Sequence, residues 1–326
     1  MRVCIVGAGA IGGLVAARIA AAGTHVSVLA RGENLEAIRA SGLRLVEADG
    51  AEVVARVEAS DNFAELGIHD VVVLALKAHQ IGEIAHQLPM LYGEDTVVVP
   101  MQNGLPWWFF QRFGGRYEGR RIGSLDPDGA IERAIPPERI VASIAYPAAE
   151  RDAPGVIRLI EGNRFPVGEL DGERSDRAKR IAQLFTDAGF TSRVVTDLRA
   201  QLWVKAWGNL AMNPISALTG ATLAEICRTP KTRALAAEMM AEASAVAEEL
   251  GLRLRVSIDQ RIEGAAQVGD HKTSMLQDVE AGRPLEVAAL IGAFVELGEL
   301  THIPMPATNA VYALISLLDA RIRGIA

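Results

Sequence analysis

The first 31 residues carry a glycine pattern that few folds accommodate. A short apolar run, Arg2–Val6, is followed at once by the sequence Gly7-Ala8-Gly9-Ala10-Ile11-Gly12. An alanine-rich segment comes next, and a second apolar run covers residues 25–30. This order predicts a strand, a glycine turn, a helix and a second strand. Such a βαβ unit is the building block of doubly wound parallel sheets.

Each glycine of this pattern has a separate physical role in a dinucleotide-binding turn. Gly7 permits the tight turn, Gly9 lets a pyrophosphate approach the backbone, and Gly12 lets the helix pack close to the strand. The helix that begins at Ala10 and Ile11 would offer unpaired N–H groups and its positive dipole end to the phosphates. We therefore expect a dinucleotide site here. The alternative is a glycine-rich turn that binds nothing.

The end of the second apolar run indicates which dinucleotide is bound. NAD enzymes usually place Asp or Glu there to bind the ribose 2′-hydroxyl, and residues 28–30 contain no acid. The next residue is Arg31, whose guanidinium suits a 2′-phosphate. Glu33 argues the other way, and Arg31 could instead be a solvated loop residue. The pattern favours NADP(H).

Composition and charge exclude several classes of protein. The chain of 326 residues is long enough for two domains, and 50% hydrophobic with 22% charged residues is ordinary globular composition. A net charge of −7 gives no support for nucleic-acid binding. No Cys/His cluster of the metal-binding type is visible. We expect no metal and no nucleic-acid partner.

The cysteines and the hydropathy bear on the compartment. Cys4 lies in a predicted core strand, so a disulfide with Cys227 is not expected and a reducing compartment is. No uninterrupted apolar stretch is long enough for a membrane span. The sequence predicts a cytoplasmic protein without a membrane partner.

Two later strands deliver polar side chains to one edge of the predicted sheet. The apolar runs at 70–76 and 96–99 look like buried parallel strands. Lys77 and Gln80 follow the first, and Asn103 follows the second. Open α/β sheets bind ligands at the carboxyl ends of their strands, so all three are candidate ligand-binding residues.

The rest of the chain divides into two parts. After the aromatic run at 107–110, residues 114–137 are rich in glycine, charge and proline and look like an excursion from the sheet, of unassigned role. Strand patterns continue to about residue 195, and from residue 197 onward the segments look helical. The fold class is α/β. We expect a Rossmann-type, doubly wound domain over 1–195 that binds NADP(H), followed by an all-helical substrate and catalytic domain over 196–326.

A stripe of polar side chains runs along an apolar segment of the second part. Lys205, Asn209 and Asn213 recur every four residues, so on a helix they share one face. Pro214 predicts that the helix ends at Asn213. A buried lysine is costly unless it is paired or its pKa is lowered, which makes Lys205 a functional candidate. The alternative is a lysine that reaches solvent beside two capping amides.

A second polar cluster follows at residues 271–278, and Glu286 comes after a Gly-Arg-Pro break. Ser274 and Glu286 are its candidate functional members. In isolation, Ser274 could be a helix N-cap and Glu286 an acid at a helix N-terminus.

Together these motifs resemble the ketopantoate reductases (2-dehydropantoate 2-reductases), within the 6-phosphogluconate-dehydrogenase-like superfamily. The resemblance spans nearly the whole chain and preserves motif order and spacing. It is carried by Gly7-x-Gly9-x-x-Gly12, Arg31, Lys77-x-x-Gln80, Asn103-Gly104, Lys205-x3-Asn209-x3-Asn213-Pro214 and Ser274-Met275-Leu276-Gln277-Asp278…Glu286.

The resemblance implies NADPH-dependent reduction of a 2-oxo acid to a 2-hydroxy acid, most simply 2-dehydropantoate to pantoate, a reaction of pantothenate biosynthesis. It implies that Arg31, Lys77 and Gln80 contact the cofactor together with the glycine turn. Lys205 would be the catalytic acid, oriented by Asn209 or Asn213. The implied substrate-site residues are Asn103, which also borders the cofactor, Asn213, Ser274 and Glu286.

The sequence departs from the family pattern in two places. Ala288 and Ile291 are apolar where the family typically has Asp and Asn, and the aromatic run at 107–110 with the excursion after it exceeds the compact family form. The aromatic run would either reshape the acyl pocket or pack on the sheet or a partner subunit. These departures leave open a different, bulkier 2-oxo acid, the oxidative direction, or a non-catalytic NADP(H) sensor. The apolar C-terminal helices permit a homodimer.

Overall fold

The computed structural model describes residues 1–325, which form two compact units. The first unit comprises Met1–Gln102, Phe110–Arg120 and Gly129–Leu198. The second comprises Asn103–Phe109, Arg121–Asp128 and the chain from Arg199 onward. The sequence predicts one boundary near residue 195. The structure differs in that two short segments after the last buried strand, 103–109 and 121–128, belong to the second unit because they pack against its helices.

The first unit is built on a parallel sheet, as the N-terminal βαβ pattern predicts. The order of its strands within residues 1–325 is β5-β2-β1-β6-β7. These strands are β1 (Arg2–Val6), β2 (His25–Leu29), β5 (Glu58–Ser60), β6 (His69–Leu74) and β7 (Tyr92–Pro100). Strands β1 and β6 are almost entirely buried, which explains their continuous apolar runs. The α/β fold class with a helical second part is confirmed.

Helix α1 (Ala10–Ala21) packs against this sheet through its glycines. A Cβ atom on Gly12 would stand 1.9 Å from the carbonyl oxygen of Gly7 and 2.9 Å from the Cβ of Ala75. A Cβ on Gly13 would stand 2.6 Å from the side chain of Ile157 in strand β10 (Val156–Glu161). The helix can therefore approach both neighbours only because these positions lack side chains.

The remaining strands of the first unit form two smaller sheets. One has the order β4-β3-β10-β9, with β3 (Leu43–Val46), β4 (Glu52–Ala55) and β9 (Ala148–Ala153); the other pairs β8 (Val141–Ser143) with β11 (Val167–Glu169). The strand patterns that the sequence shows up to about residue 195 end in isolated bridges, Arg164 to Thr191 and Val167 to Val194. The other helices of this unit are α2 (Gly32–Ser41), α3 (Phe63–Leu66), α4 (Ala78–Ile84), α5 (Ala130–Ala134) and α6 (Asp176–Asp187).

The second unit is helical, as predicted. Its helices are α7 (Leu198–Thr219, whose first residue lies in the first unit), α8 (Leu223–Arg228), α9 (Pro230–Glu249), α10 (Ile258–Gln267), α11 (Ser274–Glu280), α12 (Ala293–Thr301) and α13 (Pro306–Arg323). A π-helical turn, Ala288–Gly292, leads directly into α12. The predicted helix end at Asn213 is wrong, because α7 continues through Pro214 to Thr219. Pro214 and its neighbours are buried, so tertiary packing outweighs the hydrogen bond that proline removes.

Among residues 1–325, none of the helices combines the length and the apolar character that crossing a bilayer requires.

Two glycines of the N-terminal turn give a matched test of fold against ligand binding. Gly12→Ala forces a methyl group onto the Gly7 carbonyl, so we expect the free energy of unfolding to fall by about 1–3 kcal/mol or more. Gly9→Ala meets no heavy atom within 4 Å, so its thermal midpoint should stay near that of the wild type.

Dinucleotide affinity should separate the two roles. Gly9→Ala should fold but bind a nicotinamide dinucleotide more weakly, because its methyl group fills the space where a pyrophosphate would approach. Calorimetric unfolding and fluorescence titration of NADPH measure both effects. Equal thermal midpoints for the two variants would contradict the packing argument.

Candidate active site

The glycine turn of the first unit has the geometry of an anion-binding helix start. Gly7 has φ of +104°, a conformation that favours glycine. Gly9 caps α1 without a side-chain hydrogen bond, and the first turn of that helix carries no acid. The N–H groups of the turn from Ala10 to Gly12 are therefore at a positive helix end with no competing carboxylate on that turn. The open space at Gly9 fits a pyrophosphate.

Arg31 is the second residue after the end of β2. Its side chain is exposed, and within residues 1–325 it makes no hydrogen bond or ion pair. The end of β2 thus presents a solvated guanidinium and no acid at residues 28–30. A 2′-phosphate would find a bidentate partner there.

Lys77 and Gln80 are tied together at the start of α4. The main-chain N–H of Lys77 donates to Oε1 of Gln80 at 3.2 Å, and the N–H of Gln80 donates to the carbonyl of Lys77 at 2.9 Å. Gln80 therefore closes the first turn of the helix and holds the backbone of Lys77. This capping contact is a structural role for Gln80 that the spacing of the motif alone does not reveal.

Gln102 is a candidate ligand-binding residue to which the sequence assigned no role. It follows β7 in the first unit, and both atoms of its side-chain amide are buried without a hydrogen-bond partner among residues 1–325. A buried amide without partners costs about 1–3 kcal/mol, so an ordered water or a ligand is expected to complete its hydrogen bonds. Its place beside Asn103 at a strand end is the signal that could have identified it.

In the second unit the structure brings Lys205 to Asn103. Nζ of Lys205 on α7 donates a hydrogen bond to Oδ1 of Asn103 at 2.7 Å. The two residues are 102 positions apart in sequence. A short hydrogen bond to an amide oxygen stabilises the ammonium and fixes the direction of its remaining N–H groups.

The loop that carries Asn103 is fastened to the π-helical turn. The N–H of Leu105 donates to the carbonyl of Ala289 at 2.9 Å. Gly104 has φ of +78°, and a Cβ there would stand 2.2 Å from the same carbonyl oxygen. Only glycine fits this approach. The position of Asn103 therefore depends on the turn that begins two residues after Glu286.

The environment of Lys205 changes its acidity. The pKa of its ammonium is lowered from 10.5 to about 8, mainly by burial; the carboxylate of Glu286 opposes this effect, and the guanidinium of Arg261 adds to it. An amine with a pKa near 8 is largely protonated at neutral pH and can still release its proton. This is the condition for an efficient general acid.

The other amides of the stripe lie on the same helix. Asn209 is half-buried one turn beyond Lys205, and Asn213 is buried, with 6% of its surface exposed. The stripe geometry is therefore as the spacing predicts, although the helix does not end at Asn213.

Ser274 is not the helix cap that its sequence position allowed. The hydroxyl of Thr273 accepts from the N–H of Leu276 and caps α11, so Ser274 is the first residue of the helix and is exposed. Its hydroxyl is thus not used for capping. Glu286 is half-buried, and its main-chain carbonyl accepts a hydrogen bond from the N–H of Leu290.

The aromatic run at 107–110 packs in the interior, and all four of its side chains are buried. In the second unit the ring of Phe109 lies 5.7 Å from that of Trp203, which lies 5.0 Å from that of Phe294. In the first unit Phe110 stacks on Tyr117. The run therefore serves core packing.

Family profiles cover both parts of the chain. The profile described as "Ketopantoate reductase PanE/ApbA" matches residues 3–172, and that described as "Ketopantoate reductase PanE/ApbA C terminal" matches residues 197–319. The chain belongs to the ketopantoate reductase family. This confirms the resemblance that the motifs indicated. A 2-dehydropantoate 2-reductase from Mesorhizobium japonicum is 53% identical to the chain, over 98% of each sequence.

Solved structures agree with this membership. A Ralstonia solanacearum protein assigned to the ketopantoate reductases has a TM-score of 0.94 and 40% identity, covering 100% of this chain and 99% of its own. A ternary structure of D-mandelate dehydrogenase with NADH and anilino(oxo)acetate has a TM-score of 0.85 at 21% identity, covering 99% of this chain and 100% of its own. At that identity, the likeness extends to the fold alone.

The opposing influences on Lys205 predict how the pH profile responds to Glu286. If Lys205 donates the proton in a reduction, the rate should fall as pH rises through its pKa of about 8. Glu286→Gln removes the carboxylate that raises this pKa, and the alkaline limb of kcat/KM for a 2-oxo acid should move to lower pH. The oxidative direction, which needs the neutral amine, should gain at the same pH values.

Glu263→Gln is the matched control for this measurement. Glu263 is exposed on α10 and is not among the charges that act on Lys205. Its profile should coincide with that of the wild type. An alkaline limb that stays in place or moves upward in Glu286→Gln would contradict the assignment.

Proposed function

We propose that this protein catalyses the NADPH-dependent reduction of 2-dehydropantoate to pantoate. The observation that carries the proposal is the Lys205 ammonium, held by Asn103 at 2.7 Å with a pKa of about 8. Family membership and the 53% identical 2-dehydropantoate 2-reductase support the substrate.

The residues of the first unit fit a phosphorylated dinucleotide. Gly7, Gly9 and the turn from Ala10 through Ile11 to Gly12 would hold the pyrophosphate at the start of α1, and Arg31 would bind the 2′-phosphate. Lys77, Gln80 and Asn103 are the further cofactor residues of the proposal. When bound, the reduced nicotinamide supplies the hydride that the ketone carbon accepts.

Lys205 would supply the proton. As the ketone carbon gains the hydride, negative charge grows on its oxygen, and an N–H of the ammonium donates to that oxygen. The proton moves to the new hydroxyl, and the neutral amine regains a proton from solvent. Asn103 keeps the ammonium aimed throughout, because its amide oxygen accepts one of the three N–H groups.

The other polar residues of the second unit would bind the substrate. Asn209, one turn from Lys205, would polarise the ketone, with Asn213 as the next amide along the stripe. The free hydroxyl of Ser274 would bind the carboxylate. Glu286 would accept a hydrogen bond from the substrate hydroxyl, which 2-dehydropantoate possesses, while it also raises the pKa of Lys205.

A different 2-oxo acid is the second candidate, and Ala288 is the residue that favours it. Ala288 is half-buried in the π-helical turn, where the family typically has a carboxylate. The other two departures from the family pattern give less support to a different substrate. Ile291 has no exposed surface, and the aromatic run at 107–110 is buried in the core. A non-catalytic sensor would have no need of a lysine with a lowered pKa.

The assembly and the compartment also belong to the proposal. A homodimer would have apolar surface to cover on α13, where Leu314 and Leu317 are exposed. The cytoplasm, a reducing compartment, suits two cysteines that are both free and buried.

A panel of 2-oxo acids assayed by NADPH absorbance tests the reaction. We expect the highest kcat/KM with 2-dehydropantoate. Lys205→Ala should lower kcat by about 10² or more, the range for loss of a general acid, with little change in NADPH affinity. Lys231→Ala, an exposed lysine of α9, is the control. Near-normal turnover in Lys205→Ala would show that this residue is not the proton donor. Turnover of another 2-oxo acid, with none of 2-dehydropantoate, would show that the other acid is the substrate.

Cofactor choice is tested at Arg31. Arg31→Ala removes a charged, bidentate partner of the 2′-phosphate, so KM for NADPH should rise by about 10-fold or more while KM for NADH stays constant. Arg180→Ala, an exposed arginine of the same unit, should change neither value. A parallel rise in both KM values would show that Arg31 does not recognise the 2′-phosphate.

A further inference from the structure

Arg261 occupies a space that a glycine leaves on the catalytic helix. A Cβ on Gly208 would stand 2.1 Å from Nη2, 2.5 Å from Cζ and 2.7 Å from Nε of Arg261. The guanidinium, carried by α10, thus lies where the side chain of residue 208 would begin on α7. Its Nε also donates to the carbonyl of Val204 at 3.4 Å. Any larger residue at 208 would displace it.

This position is next to the proton donor. Residues three apart on a helix have neighbouring side chains, with Cβ atoms about 5–6 Å apart, so the space at Gly208 adjoins the side chain of Lys205. Arg261 is also one of the two charged residues that act on the ammonium of Lys205, the other being Glu286. The second unit therefore holds two cations and one carboxylate in electrostatic contact.

The charges of this group favour an anionic ligand. With Lys205 protonated, these three half-buried residues carry two positive charges and one negative charge. A 2-oxo acid carries one negative charge, on a carboxylate bonded to its ketone carbon. If the ketone oxygen lies at Lys205, the carboxylate must lie within a few bonds of it.

We propose that Arg261 binds the carboxylate of the 2-oxo acid, and that Gly208 is present because its missing side chain makes room for this guanidinium. The inference rests on the proposed function and adds the residue that selects an acid over an uncharged ketone. A guanidinium matches a carboxylate in planarity and in the spacing of its donors. Ser274 would then be a secondary contact of the same carboxylate.

Binding of the product and of its uncharged form tests this directly. Calorimetry on the enzyme saturated with NADP⁺ would compare pantoate, which carries the carboxylate, with pantolactone, which does not. Arg261→Leu should weaken pantoate binding by roughly 10- to 100-fold, the value of a charge-assisted hydrogen bond, and leave pantolactone unchanged. KM for 2-dehydropantoate should rise by a similar factor.

A second variant reaches the same result without altering the arginine. Gly208→Ala adds a methyl group whose three nearest heavy atoms all belong to the movable Arg261 side chain, so the protein should fold, and displacement of the guanidinium should again weaken pantoate binding. The double variant should be no worse than Arg261→Leu alone. Arg253→Leu, which removes an exposed arginine of the same unit, is the control for loss of charge.

The outcomes separate the inference from the function on which it rests. Wild-type enzyme that binds pantoate, with unchanged pantoate affinity in Arg261→Leu, would overturn the inference alone. The inference would also be overturned if Arg261→Leu changed only kcat and the alkaline limb of the pH profile, because Arg261 would then act only through Lys205. Wild-type enzyme that neither binds pantoate nor reduces 2-dehydropantoate would overturn the proposed function, and the inference with it.

Discussion

The proposed chemistry of the second unit depends on the ammonium group of Lys205, which must be shielded from water and still remain protonated at neutral pH. Desolvation disfavours the charged form of Lys205, and the cation of Arg261 disfavours it further. The amide oxygen of Asn103 and the carboxylate of Glu286 oppose both effects. The balance leaves the pKa near 8, so a small change in any partner alters the fraction of protein that can donate a proton.

Backbone geometry holds this balance in place. Gly104 lets the loop of Asn103 reach the carbonyl of Ala289, and Gly208 lets a guanidinium lie against α7. The π-helical turn supplies that carbonyl immediately after Glu286, and such turns often occur at functional sites. An added methyl group at Gly104 would therefore shift the loop that carries Asn103, and one at Gly208 would displace the guanidinium of Arg261.

Local periodicity explains how much of this could be predicted from sequence. The βαβ start follows from an apolar run and glycines in fixed order, and the stripe of Lys205, Asn209 and Asn213 follows from helical spacing. The passage of α7 through Pro214 could not be predicted, because packing against distant residues outweighs the local preference. The meeting of Arg261 with Gly208 and the unpartnered amide of Gln102 likewise depend on tertiary contacts that no local pattern records.

The pKa of Lys205 is the quantity that tests this account most directly. It can be measured in the folded protein by NMR of enzyme carrying isotope-labelled lysine, with the resonance assigned by its loss in Lys205→Met. The account predicts a titration midpoint of about 8, well below the ordinary lysine value of 10.5. A midpoint at 10.5 would show a solvated ammonium and would contradict the assignment of Lys205 as a buried, tuned proton donor.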